Sequence, residues 1–139
     1  MNRRCWVTLC ICLWWTVGAL AAPSQLPDPR ALTWALPVHS TRLSPGAVSP
    51  RTLKLPGLTP LFLVGHDAAS LEWLAQHAQK LQELGASGLA VEVADAQTLR
   101  RIQAAAPGVD IWPVSGDDIA ERLELQHYPV LITPTSLEQ

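Results

Sequence analysis

The chain has 139 residues, a formal net charge of −2 and 48% hydrophobic residues, which suits a single small domain with its own core. Its Lys and Arg are outnumbered by Asp and Glu, 10 against 12, and form no basic cluster, which excludes the electrostatic footprint of a nucleic-acid binder. All three cysteines, Cys5, Cys10 and Cys12, lie near the start, so the remainder holds no thiol for redox or nucleophilic chemistry.

Arg3 and Arg4 precede an apolar run from Cys5 to Leu20, and small residues follow at Ala19, Ala21 and Ala22. This three-part order reads as a secretory signal peptide over residues 1–21, cut after Ala21 or Ala22. The rival reading is a retained anchor with Trp14 and Trp15 at a membrane interface. It asks for about 20 spanning apolar residues, and either reading puts the following domain outside the cytoplasm. Leu9 before Cys10 and Ile11 before Cys12 do not match the small residue that a lipidated cysteine follows. Loss of Arg3 and Arg4 leaves 8 basic against 12 acidic residues.

Residues 22–60 form a proline-rich extended arm, holding 8 of the 12 prolines; proline removes a backbone donor and restricts the residue before it. Leu32, Trp34, Leu36 and Val38 alternate with the period of a strand, as do Leu53 and Leu55. The arm is either packed on the domain or a tether. Leu61–Val64 is a short apolar run ending at Gly65 and predicts a buried strand. A helix follows, capped by Asp67 or Ser70, with Leu71, Leu74, Ala78, Leu81 and Leu84 as its inward stripe and Gly85 and Gly88 ending it.

Leu89, Val91 and Val93 predict the next strand, and Asp95 caps a second helix with Leu99 and Ile102 inward and Pro107-Gly108 at its end. Val109–Val114 reads as a strand that Pro113 places at an edge or an end. Ser115 and Asp118 give a capping-box start to a short third helix carrying Ile119, Ala120 and Leu123. Tyr128-Pro129-Val130-Leu131-Ile132 is the last expected strand. Alternation of strands and helices over residues 61–139 predicts an α/β domain with three layers, a small mostly parallel sheet between flanking helices.

His39, His66, His77 and His127 lack ligand spacing, and no metal or other cofactor is expected. The Gly65–Ser70 loop lacks both a Gly-rich fingerprint and a following Lys, which argues against nucleotide phosphate. No serine sits in a Gly-x-Ser-x-Gly elbow, and Asp117-Asp118 reads as helix capping. The candidate contact residues are therefore His66, Asp67 and Ser70 beyond the first strand, where α/β folds bind ligands, together with Tyr128, Pro129 and Leu131. Tyr128 either lines a groove or packs on the helix at Leu71. No catalytic role is expected.

The order Leu61–Ser70, the Leu71 helix, Trp112-Pro-Val-Ser-Gly-Asp-Asp-Ile-Ala-Glu-Arg-Leu and His127-Tyr-Pro-Val-Leu-Ile resembles the thioredoxin plan. The resemblance implies that residues 61–139 are thioredoxin-like, that Pro129 takes the family's cis-proline position, and that the redox cysteines would fall near His66–Ser70, where there are none. Residues 89–106 look like an insertion. The plan's final antiparallel strand and helix are expected to be missing after Thr133, which leaves Val130–Ile132 as an open edge that a partner strand could join.

Leu32-Thr-Trp-Ala-Leu-Pro-Val, Leu43-Ser-Pro-Gly, Leu55-Pro-Gly-Leu-Thr-Pro-Leu-Phe-Leu-Val-Gly, Pro113-Val-Ser-Gly-Asp-Asp and His127-Tyr-Pro-Val-Leu-Ile also resemble an uncharacterised exported family of bacterial integrating conjugative elements. That family sits beside type IV secretion genes and is similar to TrbC, the thioredoxin-like pilus-assembly factor of F-type conjugation systems. The likeness implies a periplasmic, non-catalytic assembly protein whose partners are other conjugation-apparatus proteins, with no membrane contact after signal cleavage. The alternative is a cysteine-free, thioredoxin-like periplasmic peptide-binding or chaperone module.

Overall fold

The computed structural model describes residues 26–139; the expected signal peptide and the first residues of the arm lie outside them. A 3-10 helix, Pro29–Ala35, is capped by Asp28, whose carboxylate accepts from Arg30 N at 2.9 Å. This replaces the strand expected from the alternation of Leu32, Trp34 and Leu36. Pro29 pre-sets a helical φ, and an aspartate just before it satisfies a free N–H, so turn chemistry outweighs a two-residue period. Trp34 is left exposed.

Eight short strands follow: β1 Ser44–Pro45, β2 Arg51–Thr52, β3 Leu61–Val64, β4 Ser87–Ala90, β5 Ile111–Pro113, β6 His127–Tyr128, β7 Val130–Ile132 and β8 Ser136–Glu138. The helices are α1 Ala68–Glu83, α2 Ala96–Ala105 and α3 Asp117–Leu123. Six strands form one sheet in the order β2-β8-β7-β3-β4-β5, while β1 and β6 form a separate parallel pair. The expected mostly parallel sheet is in fact mixed. β3–β4 and β4–β5 are parallel, joined by crossovers through α1 and α2, but β3–β7, β7–β8 and β8–β2 are antiparallel.

The difference has a local cause. Thr133-Pro134-Thr135 turns the chain back: Thr133 N donates to Ser136 O at 2.9 Å and Ser136 N to Thr133 Oγ1 at 3.0 Å. The chain therefore continues past Thr133 into an antiparallel strand, contrary to expectation, and β7 has neighbours on both sides. Leu131 faces Phe62 of β3 and Glu138 of β8. The open edge expected at Val130–Ile132 does not exist, and the edges of the sheet are β2 and β5.

Side chains alternate across the sheet and build two cores. Phe62, Val64, Ala90, Ile111 and Leu131 meet Trp73, Leu74 and Leu81 of α1 and Leu99 and Ile102 of α2. Leu63, Val91, Val130, Ile132 and Leu137 meet Leu43, Ala120, Leu125 and Tyr128, with Val48, Leu53, Leu55 and Leu58 packed on them. Each large apolar side chain so buried contributes about 1.5–3 kcal/mol.

Asp67 caps α1, its Oδ2 accepting from Ser70 N at 3.1 Å. Gly85 at φ 62° closes it, with Ala86 N donating to Leu81 O and Gly85 N to Gln82 O, the paired bonds of a Schellman end. The buried stripe of α1 runs through Ser70, Trp73, Leu74 and Leu81, rotated from the expected one, and Leu84 is exposed. Gly88 is not a helix stop. It lies in β4, under the ring of Phe62.

Residues 38–58 lie against the rest of the fold. Val38 and Val93 exchange backbone bonds of 2.8 and 2.9 Å, and Ser40 Oγ donates to Val91 O at 2.6 Å while accepting from Gly116 N at 2.9 Å. Leu53 N and Leu55 N donate to Thr135 O and Pro134 O, and Arg51 Nη2 donates to Leu123 O. Asp117 does not cap α3, whose N-cap is Gly116 without a side-chain bond. Its carboxylate accepts instead from Thr41 N, Thr41 Oγ1 and Arg42 N at 2.8–3.0 Å. The bonds from Arg42 and Thr41 hold it below the usual carboxylate range.

His39 Nδ1 lies 2.7 Å from Glu92 Oε2 on the exposed side of this junction. The hydrogen bond to Glu92, then its charge, raises His39 above its ordinary value of 6.5. A raised folded-state value means that the pair's stabilisation is complete below pH 6.5 and is lost as pH rises through the folded value. His39→Gln is therefore expected to lower the urea midpoint slightly at pH 5.5 and to leave it unchanged at pH 9. An equal loss at both values would show that the His39 charge contributes nothing.

Candidate functional site

The chain leaving β3 passes through Gly65, whose N–H donates to Ser70 Oγ at 3.1 Å. Ser70 is thereby fully buried and joins the loop to the first turn of α1. Asp67 Oδ2 serves the cap, but Oδ1 is buried with no partner among the described residues. His66 is exposed beside it. Tyr128 closes this loop from the other side: a Cβ on Gly65 would stand 2.9 Å from its Oη.

Burial first, then the charges of Asp67 and Glu92, push the Tyr128 phenol up to about 12. It therefore stays protonated at any ordinary pH and does not act as a base. The ring packs with Leu43, Leu63 and Val91 rather than on the helix at Leu71, which belongs to the opposite core. The bond from Tyr128 to Pro129 is cis.

A groove of about 410 Å³ lies between α1 and Pro129, lined by Ala69, Glu72, Trp73 and Gln76 on the helix and by Gly46, Ala47 and Gln139 opposite. Its far wall is built by pairing. β1 runs parallel to β6, with Ser44 N donating to Gln126 O and Gly46 N to Tyr128 O. Gln139 locks the two together: Nε2 donates to Gly46 O at 2.8 Å and to Pro129 O at 3.0 Å, and Oε1 accepts from Val48 N at 3.1 Å. Ser44 Oγ and His127 Nδ1, 3.2 Å apart, add a side-chain tie between the same strands.

The floor is Trp73, 7% exposed, stacked on His77 at 4.6 Å and tilted against Phe62 at 5.9 Å. His77 Nδ1 bonds Trp73 O at 2.8 Å, which fixes the stack. The indole Nε1 has no hydrogen-bond partner among the described residues and is out of contact with solvent. A buried donor left unpaired costs about 1–3 kcal/mol. The apolar floor and the polar rim suit a non-covalent contact with another molecule.

Of the six residues singled out from sequence, Asp67, Ser70 and Tyr128 meet around Gly65, and Pro129 lines the groove. Leu131 is 2% exposed on the α1 side of an interior strand, so it is a core residue. Sequence reasoning missed Trp73, Gly46 and Gln139. Trp73 carried a readable signal, since it stands three residues from Ser70 and eight from Leu81 on one helix face. Gly46 and Gln139 gave none, because their meeting depends on a parallel pairing between segments 83 residues apart.

A family model described as "Protein of unknown function (DUF2859)" matches residues 18–137. The chain belongs to the DUF2859 family. No curated protein and no solved structure matches it. In this DUF2859 chain no helix among the described residues is long and apolar enough to cross a membrane. Among the same residues, no three His, Asp or Glu side chains gather as metal ligands would.

Proposed function

We propose that this DUF2859 protein is a non-catalytic assembly component of the type IV secretion apparatus of an integrating conjugative element, acting in the periplasm by holding other apparatus proteins. The observation that carries the contact reading is the groove beside Pro129, with its apolar floor and polar rim. The signal-like segment supports export, and the motifs shared with the exported conjugative-element family support the setting.

A thioredoxin-like relationship is part of the same proposal. It is supported by the passage of β3 into α1, the Pro129-headed β7 beside β3, and the antiparallel β8 beyond it. Asp67 and Ser70, in the place where that plan carries thiols, serve the helix cap and the Gly65 loop, a structural use in keeping with contact rather than redox chemistry. The second reading is a peptide-binding or chaperone module using the same groove. It differs only in how long the contact lasts.

A photo-crosslinking residue at Gln76, in cells carrying the native element, tests the reading. Secretion-channel or pilus-assembly proteins are the expected products, and Ala69→Arg, which fills the groove from an exposed helical position, is expected to reduce them at least tenfold. The same substitution should move stability by no more than about 0.5 kcal/mol. Crosslinks to many unrelated exported chains would favour the chaperone module, and crosslinking indifferent to Ala69→Arg would remove the groove from the account.

A further inference from the structure

The groove's chemistry narrows what it holds. Glu72 stands on its rim, exposed, with Oε1 accepting only a hydrogen bond from Gln76 Nε2 at 3.2 Å. It takes part in none of the ion pairs among the described residues. The cation of α1, Lys80, lies two turns further on and is held by Glu138 at 3.0 Å. No Lys or Arg lines the groove. The groove therefore presents the Glu72 carboxylate and no cation, above a floor of Trp73, Pro129, Ala47 and Ala69.

We infer that the groove takes an extended segment of a partner protein in which a Lys or Arg flanks an apolar residue. The apolar side chain covers Trp73 and Pro129, and the cation meets Glu72. An acidic segment is repelled at the rim and leaves the environment of Trp73 unchanged. The inference rests on the groove being a protein-contact site, as proposed above, and adds which segments it selects.

Three ten-residue peptides test it, identical except that two Lys flanking a central Leu-Val become Gln in the second and Glu in the third. The readout is the indole N–H resonance of Trp73 in the purified protein, identified by its absence in Trp73→Phe. The Lys peptide is expected to shift that resonance and to bind at least tenfold more tightly than the Gln peptide, with no shift from the Glu peptide. Glu72→Lys, a change at an exposed position, should reverse the order of the Lys and Glu peptides.

Equal binding of all three at Trp73 would overturn the charge selection while leaving the groove as a contact site. Failure of every peptide to shift Trp73, in a protein whose other resonances show it folded, would overturn both the selection and the use of the groove. Binding of the Lys peptide that survives Glu72→Lys unchanged would also overturn the selection, because the cation would then be read elsewhere.

Discussion

Leu131→Ala is expected to lower stability by about 2–5 kcal/mol, and Leu131→Pro to leave no folded protein. The side chain is 2% exposed and belongs to the core under α1 and α2, opposite Phe62 on one flank and Glu138 on the other. Truncation leaves a cavity that neighbours on two bonded strands cannot collapse to fill. Proline further removes a ladder donor from a strand paired on both sides, where only edge strands tolerate the loss. Urea denaturation of the alanine variant is the measurement. A midpoint within about 0.5 kcal/mol of the parent would mean that β7 is not the interior strand described. Loss of partner binding in the proline variant would report unfolding and would say nothing of a docking edge.

The elements with strong local signals were legible in the sequence. β3, α1, α2 and β5 follow from apolar runs, the Asp67 and Asp95 caps and the breaks at Gly85 and Pro107-Gly108, because each signal acts over a few residues; β4, Ser87–Ala90, starts two residues before the expected Leu89 and ends before Val91 and Val93. What failed was long-range. The Thr133-Pro134-Thr135 turn is legible as turn chemistry, but nothing in that tripeptide says that Ser136–Glu138 will pair with β7. Asp117 looked like a helix cap because that is the commonest use of an acid in a first turn; its actual partners, Thr41 and Arg42, are brought to it by the arm.

The candidate site shows the same division. Asp67 and Ser70 were visible as a helix start, and Pro129 as a proline heading an apolar strand. Trp73, the floor of the groove, falls outside a stripe through Leu71 and Leu84, and the fold rotates that stripe by placing Ser70 and Trp73 inward. The arm is what completes the groove. Gly46 and Ala47 line it where the chain follows on from Val38 and Ser40, fastened to Val93 and Val91, and from Thr41 and Arg42, fastened to Asp117 of α3. Releasing residues 38–47 would remove one wall of the groove.

The second large effect is expected where β4 passes beneath Phe62. A Cβ on Gly88 would lie 2.5 Å from Phe62 Cε2 and 3.0 Å from Ile111 Cγ1, both in fully buried side chains. The ring cannot turn aside, because Trp73 stands 5.9 Å from it between the sheet and α1. Gly88→Ala is therefore expected to cost about 1–3 kcal/mol through overpacking, and Phe62→Ala about 3–5 kcal/mol through the cavity it leaves. The two changes have opposite volumes at one point, so they should not add. With Phe62 shortened to Leu, the alanine methyl at Gly88 occupies space the ring vacated, and the double variant should be more stable than the sum of the single changes predicts by about 0.5–3 kcal/mol. Simple additivity in urea denaturation would mean that the glycine is required by something other than the ring. A coupling of the expected sign would show that the smallest residue in the parallel half of the sheet is there to admit the aromatic side chain that links β3 to α1 and, through Trp73, to the floor of the groove.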